Sequence, residues 1–183
     1  MVAAPISFLG GGLILRGREA LQTGVLLSAS EILAYGIRDG LKVTVKRDRP
    51  YNQLRDVHVD HLDSTDPYSF PSGHTTGAFA LATMLSFRYP KAIVIIPAFT
   101  WAALVGYGRI YFGLHYPTDG LAGAVIGVGS ALLINTYSEE IFKLSRSVLG
   151  DRCAIMVPDL LLYDGSAKSE LGRSAKILSW SHK

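Results

Sequence analysis

The stretch Arg109-Ile110-Tyr111-Phe112-Gly113-Leu114-His115-Tyr116-Pro117-Thr118-Asp119 joins two long apolar runs and carries an arginine, a histidine and a carboxylate. Before it, 92–108 contains no Asp, Glu, Lys or Arg, and after it 120–138 contains none either. Each run approaches the roughly 20 mostly apolar residues that a helix needs to cross a bilayer. Proline suits the first turn of a helix, so a helix is predicted from Pro117. Another is predicted over 92–108, with Pro97 in its early turns or at a kink, and residues 109–116 become the connector. His115 and Asp119 stand four apart at the start of the second helix. A carboxylate there can accept a hydrogen bond from one ring nitrogen, fix the tautomer and strengthen the other nitrogen as a nucleophile. In the plainer alternative, Asp119 caps its helix and His115 packs under the connector.

Moving toward the N-terminus, Pro71-Ser72-Gly73-His74 opens a further helix. Serine is a favoured N-cap, and Tyr89-Pro90 ends the helix after about Phe87. A helix N-terminus presents unpaired N–H groups and the positive end of the dipole, which together favour an anion. Gly73 lets an oxyanion reach the backbone without a Cβ in the way, Ser72 can cap or donate its hydroxyl, and His74 can give or take a proton. A plain N-cap and an exposed histidine are the alternatives. Earlier still, 17–45 reads as one long or two shorter helices, with Leu21, Val25, Leu26, Ile32, Leu33 and Ile37 near a 3.6-residue spacing. Pro50 stops that element at or before Arg49. Lys42 and Arg49 are seven apart, close to two turns, so both can point the same way. Two cations aimed at one point suit a phosphate-like dianion, whereas a solvated basic face beside a membrane is the competing reading. Residues 51–70 are polar and turn-rich and are predicted to be a surface loop.

Composition narrows the class. Of 183 residues, 49% are hydrophobic and 18% charged, against about 25% charged in an average soluble protein. This excludes a disordered chain. No strict apolar–polar alternation occurs before residue 150, so an all-α bundle is expected over 1–146, with a separate tail over 147–183. In that tail 154–157 and 160–163 are short apolar runs suited to strands. Gly123 and Gly127 form a G-x-x-x-G pair that permits close helix approach. The net charge of +3 arises mainly from Lys42, Lys46, Arg47, Arg49 and Arg55. One such cluster is too little for a nucleic-acid binder. Cys153 is the sole cysteine, which excludes an internal disulfide. His58, His61 and His182 fall in the loop and tail, and no metal-ligand cluster is suggested. The first charged residue is Arg16, so the opening stretch lacks the basic n-region of a secretory leader.

Taken together, K-x6-R-P from Lys42 to Arg49-Pro50, P-S-G-H from Pro71 to His74, and R-x5-H-x3-D from Arg109 through His115 to Asp119 occur in one order. This pattern resembles the signature of the type 2 phosphatidic acid phosphatase (PAP2) and vanadium haloperoxidase superfamily, with every spacing matched, over roughly residues 20–135. Gly108 departs from it, standing where the family usually has serine. That removes a hydroxyl but no charged or proton-transferring group. The resemblance implies a helical bundle in which His115 attacks phosphorus to form a phosphohistidine and is oriented by Asp119. It implies that His74 protonates the leaving oxygen and then activates water. Lys42, Arg49, Ser72, Gly73 and Arg109 would hold the three equatorial oxygens, with no metal or other cofactor. The implied substrate is a phosphorylated lipid, an isoprenoid diphosphate or a small phosphate ester. The implied location is the cell envelope, in or on a membrane, with a soluble exported protein as the alternative. Two other functions share the architecture. One is a vanadate-dependent haloperoxidase, in which His115 would ligate vanadate; such enzymes are expected to be longer and soluble. The other is a silent membrane or lipid-binding protein, which the intact motif residues disfavour.

Overall fold

The computed structural model describes residues 18–53 and 66–149. The chain divides into two compact units, Met1–Ile141 and Phe142–Lys183, and the packing and the site described below belong to the first. Six helices are described: α1 (Arg18–Val45), α2 (Pro50–Gln53), α3 (Gly73–Arg88), α4 (Ala92–Tyr111), α5 (Pro117–Thr136) and α6 (Ser138–Leu149). Among the described residues there is no strand, only an isolated antiparallel bridge between Asp48 and Tyr68. The all-helical bundle expected from the sequence is therefore observed. The strands expected at 154–157 and 160–163 lie outside the described residues, as do His58, His61, Cys153 and His182.

Local chemistry sets the helix ends. α1 is one helix of 28 residues with Glu19 in its first turn and Lys42 in its last, each matched to the dipole at its end. Lys46 stops it in the left-handed region at φ 47°, donating its N–H to the Lys42 carbonyl at 3.1 Å. α4 runs three residues beyond Gly108, because the first residue able to turn the chain is Gly113, at φ 66°. Arg109 consequently rides the last turn of a helix instead of lying in a connector. α5 begins at Pro117, as expected. The Asp119 carboxylate accepts the Tyr116 N–H at 2.9 Å, and the Asp119 N–H returns to the Tyr116 carbonyl at 2.9 Å. Two orphan donors are thereby satisfied.

α3 is central and packs against α5, α4 and α1, while α1 also touches α5. The buried apolar residues are small on the whole, including Ala34, Ala78, Ala80, Ala82, Ala102 and Ala131 beside Leu26, Leu27 and Met84. The face that α1 turns inward differs from the expected apolar stripe. Thr23, Leu26, Leu27, Ser30, Glu31 and Ala34 are buried, whereas Ile32 and Ile37 face outward. Outward apolar residues also cover α4 and α5, where Ile93, Leu104, Leu121 and Val125 are each more than 60% exposed. These two helices are long and apolar enough to cross a membrane, and only 11% of the apolar window of α4 is buried. A soluble core helix would show the opposite.

The G-x-x-x-G pair does what its spacing allows. A Cβ on Gly127 would lie 2.3 Å from the Thr76 carbonyl and 2.8 Å from the Ala80 nitrogen, and one on Gly123 would lie 2.7 Å from the Ser72 carbonyl. Backbone cannot yield as a flexible side chain does, so α3 and α5 touch only because these positions are glycine. Gly127→Val is expected to lower stability by about 3 kcal/mol, the upper end of overpacking costs, read as the thermal midpoint in detergent. Gly129→Ala is the control: open space surrounds that position, and its midpoint should equal or exceed the wild type. Equal midpoints for Gly127→Val and wild type would disprove the close contact.

Candidate active site

The three motifs meet where four helix ends meet: the C-terminal ends of α1 and α4 and the N-terminal ends of α3 and α5. Lys42 and Arg49 are almost fully buried there, and buried cations require partners. Both find them in Asp66, a residue of the polar loop that the motifs do not include. The Lys42 ammonium donates to Asp66 Oδ2, and Arg38 Nη2 donates to the same oxygen at 3.2 Å. Arg49 Nε donates to the Asp66 backbone carbonyl at 2.9 Å and Nη1 to the Leu114 carbonyl at 3.2 Å. Burial alone would raise the Asp66 pKa; the Lys42 hydrogen bond and charge outweigh it, with help from the Tyr68 N–H and Arg38, and hold it below the usual carboxylate value. Burial pulls Lys42 down, and Asp66 opposes that pull.

Ser72 takes the N-cap position of α3 with extended backbone, yet its hydroxyl makes no cap bond. It pairs with the Thr75 hydroxyl at 2.9 Å, so the side chain leaves the first N–H groups of α3 unanswered. The Ser72 N–H donates to the Asp119 carbonyl at 3.0 Å, fastening the start of α3 to the start of α5. A Cβ at Gly73 would meet the Arg38 guanidinium at 2.9 Å. A cation therefore already lies against the glycine that was expected to admit an oxyanion. Nothing lies within 4 Å of a Cβ on Gly108, so the serine usual at that position would fit.

His74 stands in the first turn of α3 with its outer edge exposed. Its imidazole is pushed down to about 4, first by partial burial and then by the neighbouring charges of Arg109 and His115. It is neutral at pH 7 in the ligand-free protein. His115 is buried. Its Nδ1 lies 2.7 Å from the Ser69 backbone carbonyl and 3.7 Å from Asp119 Oδ2. A carbonyl only accepts, so a proton belongs on Nδ1, and in the neutral ring Nε2 is the nitrogen with the lone pair. The hydrogen bond expected between His115 and Asp119 thus goes to Ser69 instead. Asp119 is anchored on other donors: Oδ1 accepts from Arg47 Nη1 at 2.9 Å and Oδ2 from the Tyr116 N–H. Arg47 also donates to Thr118 Oγ1 at 2.7 Å and lies 3.9 Å above the Tyr116 ring. Ser69 is held in turn by Arg47, whose carbonyl accepts the Ser69 N–H at 2.7 Å.

Motif reading therefore missed Arg38, Arg47, Asp66 and Ser69. Arg38 had a signal, because it lies one turn before Lys42 on the same helix face. Ser69 had none, since it acts through its backbone carbonyl.

The sequence pattern of the PAP2 superfamily matches residues 23–143. An undecaprenyl-diphosphatase of Sulfolobus acidocaldarius is 31% identical over 115 residues, which are 63% of this chain and 55% of the relative. A lipid A 4'-phosphatase of Bacteroides thetaiotaomicron is 36% identical over 125 residues, 66% of this chain and 56% of that protein. The chain thus spans about half the length of these relatives. Among solved structures, Aquifex aeolicus LpxE matches with a TM-score of 0.61 at 33% identity, over 70% of this chain and 74% of that one. A transmembrane PAP2-type phosphatidylglycerolphosphate phosphatase from Bacillus subtilis matches with a TM-score of 0.53 at 31% identity, over 64% and 60% of the two chains.

The depressed His74 value has a pH signature. Folding lowers its pKa from the ordinary histidine value of 6.5 to about 4, so protonation favours the unfolded chain. Its contribution to stability is complete above pH 6.5 and is lost as the pH falls toward 4. A bound dianion reverses the sign by stabilising the imidazolium. Titration of the His74 ring by NMR should give a midpoint well below that of a free histidine, and saturating vanadate should move it upward. A midpoint unmoved by vanadate would separate His74 from the anion site.

Proposed function

This chain belongs to the PAP2 superfamily, and on that premise we propose that it hydrolyses a phosphate monoester or diphosphate of a lipid or isoprenoid through a phosphohistidine on His115. The observation that carries the reading is the His115 imidazole: buried and held at Nδ1 by the Ser69 carbonyl, which leaves Nε2 as the nitrogen available to attack. A fixed tautomer with a lone pair at one defined atom is what nucleophilic attack on phosphorus requires.

Nε2 attacks phosphorus as the ester oxygen leaves, and the positive charge gained by the ring is met by the Asp119 carboxylate at 3.7 Å. Lys42, Arg49 and Arg109, the Ser72 hydroxyl and the Gly73 N–H hold the three equatorial oxygens, neutralising charge as it redistributes. His74 is neutral before substrate arrives, and the phosphate dianion raises its pKa so that it carries the proton the leaving oxygen needs. Having lost that proton, it takes one from the water that attacks the phosphohistidine, and phosphate is released. Buried Lys42 is kept charged by Asp66, so the pocket is positive before anything binds. The apolar outer faces of α4 and α5 support a location within the membrane of the cell envelope, which suits a lipid substrate. The relatives named above are phosphatases by name, which favours hydrolysis over haloperoxidation.

Purified protein in detergent is expected to release phosphate from a short-chain lipid phosphate or an isoprenoid diphosphate, with activity surviving EDTA and inhibited by vanadate. His115→Ala should lower kcat by about 10³-fold or more, and Arg49→Ala by about 10²–10³-fold. Acid-labile, alkali-stable labelling of the wild type by radioactive substrate, absent from His115→Ala, would identify the intermediate. Full activity in His115→Ala would remove it as the nucleophile, and a requirement for vanadate would make the protein a peroxidase.

A further inference from the structure

Arg38 precedes Lys42 by one helical turn and faces the same pocket from α1. Two of its three guanidinium nitrogens are engaged, Nη1 with Asp39 at 2.8 Å and Nη2 with Asp66 at 3.2 Å. The third, Nε, is buried without a hydrogen-bond partner. It lies against Gly73, 2.9 Å from where a Cβ would stand. A donor on a permanent cation is thus buried beside the first turn of α3, next to the N–H assigned above to a phosphoryl oxygen. Leaving a buried donor unanswered is costly, and more so on a charged group. An anionic oxygen arriving at this place would remove that cost.

Donor counting narrows the ligand. Lys42, Arg49 and Arg109, the Ser72 hydroxyl and the Gly73 N–H already serve the three equatorial oxygens of a transferred phosphoryl group. Asp39 at 2.8 Å and Asp66 at 3.2 Å balance the charge of Arg38, so what Arg38 adds to the pocket is its unanswered Nε donor. A monoester has no further anionic oxygen to offer, whereas a diphosphate brings a second phosphate linked through one bridging oxygen. We propose that Arg38, outside the three motifs, is a further substrate-contacting residue that binds the second, non-transferred phosphate of a diphosphate through its Nε–H. The bridging oxygen then leaves on that phosphate, taking the His74 proton as the P–N bond to His115 forms. Arg38 holds the lipid monophosphate as it departs. The inference rests on the phosphatase reading of the same pocket.

Binding of inorganic phosphate and of methylenebisphosphonate, an uncleavable diphosphate, separates the two claims. Calorimetry on the full chain in detergent is expected to show wild type binding the bisphosphonate more tightly than phosphate. Arg38→Gln should weaken the bisphosphonate by about tenfold or more and phosphate by less than about threefold. Arg38→Lys keeps the charge beside Asp66 but lacks the Nε donor, so it should lose part of the preference even if the glutamine variant fails to fold. Equal losses for both ligands, or an unchanged preference in the variants, would overturn the role of Arg38 alone. A wild type that binds neither anion would bring down the phosphatase reading and this inference with it.

Discussion

The contact on which the site depends is the approach of α3 to α5 at Gly123 and Gly127, where no side chain separates the two backbones. It sets two helix N-termini side by side, and the bond from the Ser72 N–H to the Asp119 carbonyl locks their register. Both helices then aim the positive ends of their dipoles at one region. The C-terminal ends of α1 and α4 bring Lys42 and Arg109 to the same place. Such a concentration of positive potential disfavours folding unless anions are built in. The described residues supply two that matter, Asp66 against the cations of α1 and Asp119 against Arg47.

These two carboxylates divide the electrostatic work. Asp66 holds Arg38 and Lys42 through its side chain and Arg49 through its backbone carbonyl, so one residue orders every cation drawn from the first motif. Asp119 is fully buried and bonded to Arg47 and to the α5 cap. It stands near His115 as a counter-charge, not as a hydrogen-bond acceptor. Orientation of His115 passes to the Ser69 carbonyl, and Ser69 is tied to Arg47. Arg47 therefore braces His115 twice, through its guanidinium on Asp119 and its carbonyl on Ser69.

Much of this was legible in the sequence where a single residue enforces an outcome. Pro50, Pro90 and Pro117 mark element ends because proline restricts backbone conformation whatever its surroundings. The end of α4 was misjudged, because Gly108 resembles a stop but the left-handed turn is made at Gly113. The inward face of α1 was misjudged for a different reason. Apolar residues recur on more than one face of α1, and Ile32 and Ile37 point outward while Thr23, Ser30 and Glu31 point in. The motif spacings announced the cations, the serine and the histidines, since those act through side chains at fixed intervals. Asp66 and Ser69 were invisible, because their roles depend on partners 17 to 46 residues away along the chain.

The placement of the pocket at one end of the bundle bears on what it can accept. α4 and α5 each have 20 residues, which at about 1.5 Å per residue span about 30 Å, the thickness of a hydrocarbon core. On the proposed reading, both cross the bilayer, and the Arg109 end of α4 and the Asp119 end of α5 come to one interface. The anion pocket then sits at headgroup depth, while the exposed Ile93, Leu104, Leu121 and Val125 lie among acyl chains. An amphiphile anchored in the same leaflet presents its phosphate at that level without leaving the membrane. A soluble phosphate ester gains no such alignment. On that reading the apolar outer surface of α4 and α5 is the feature that makes a lipid-borne phosphate the better match to the chemistry inside.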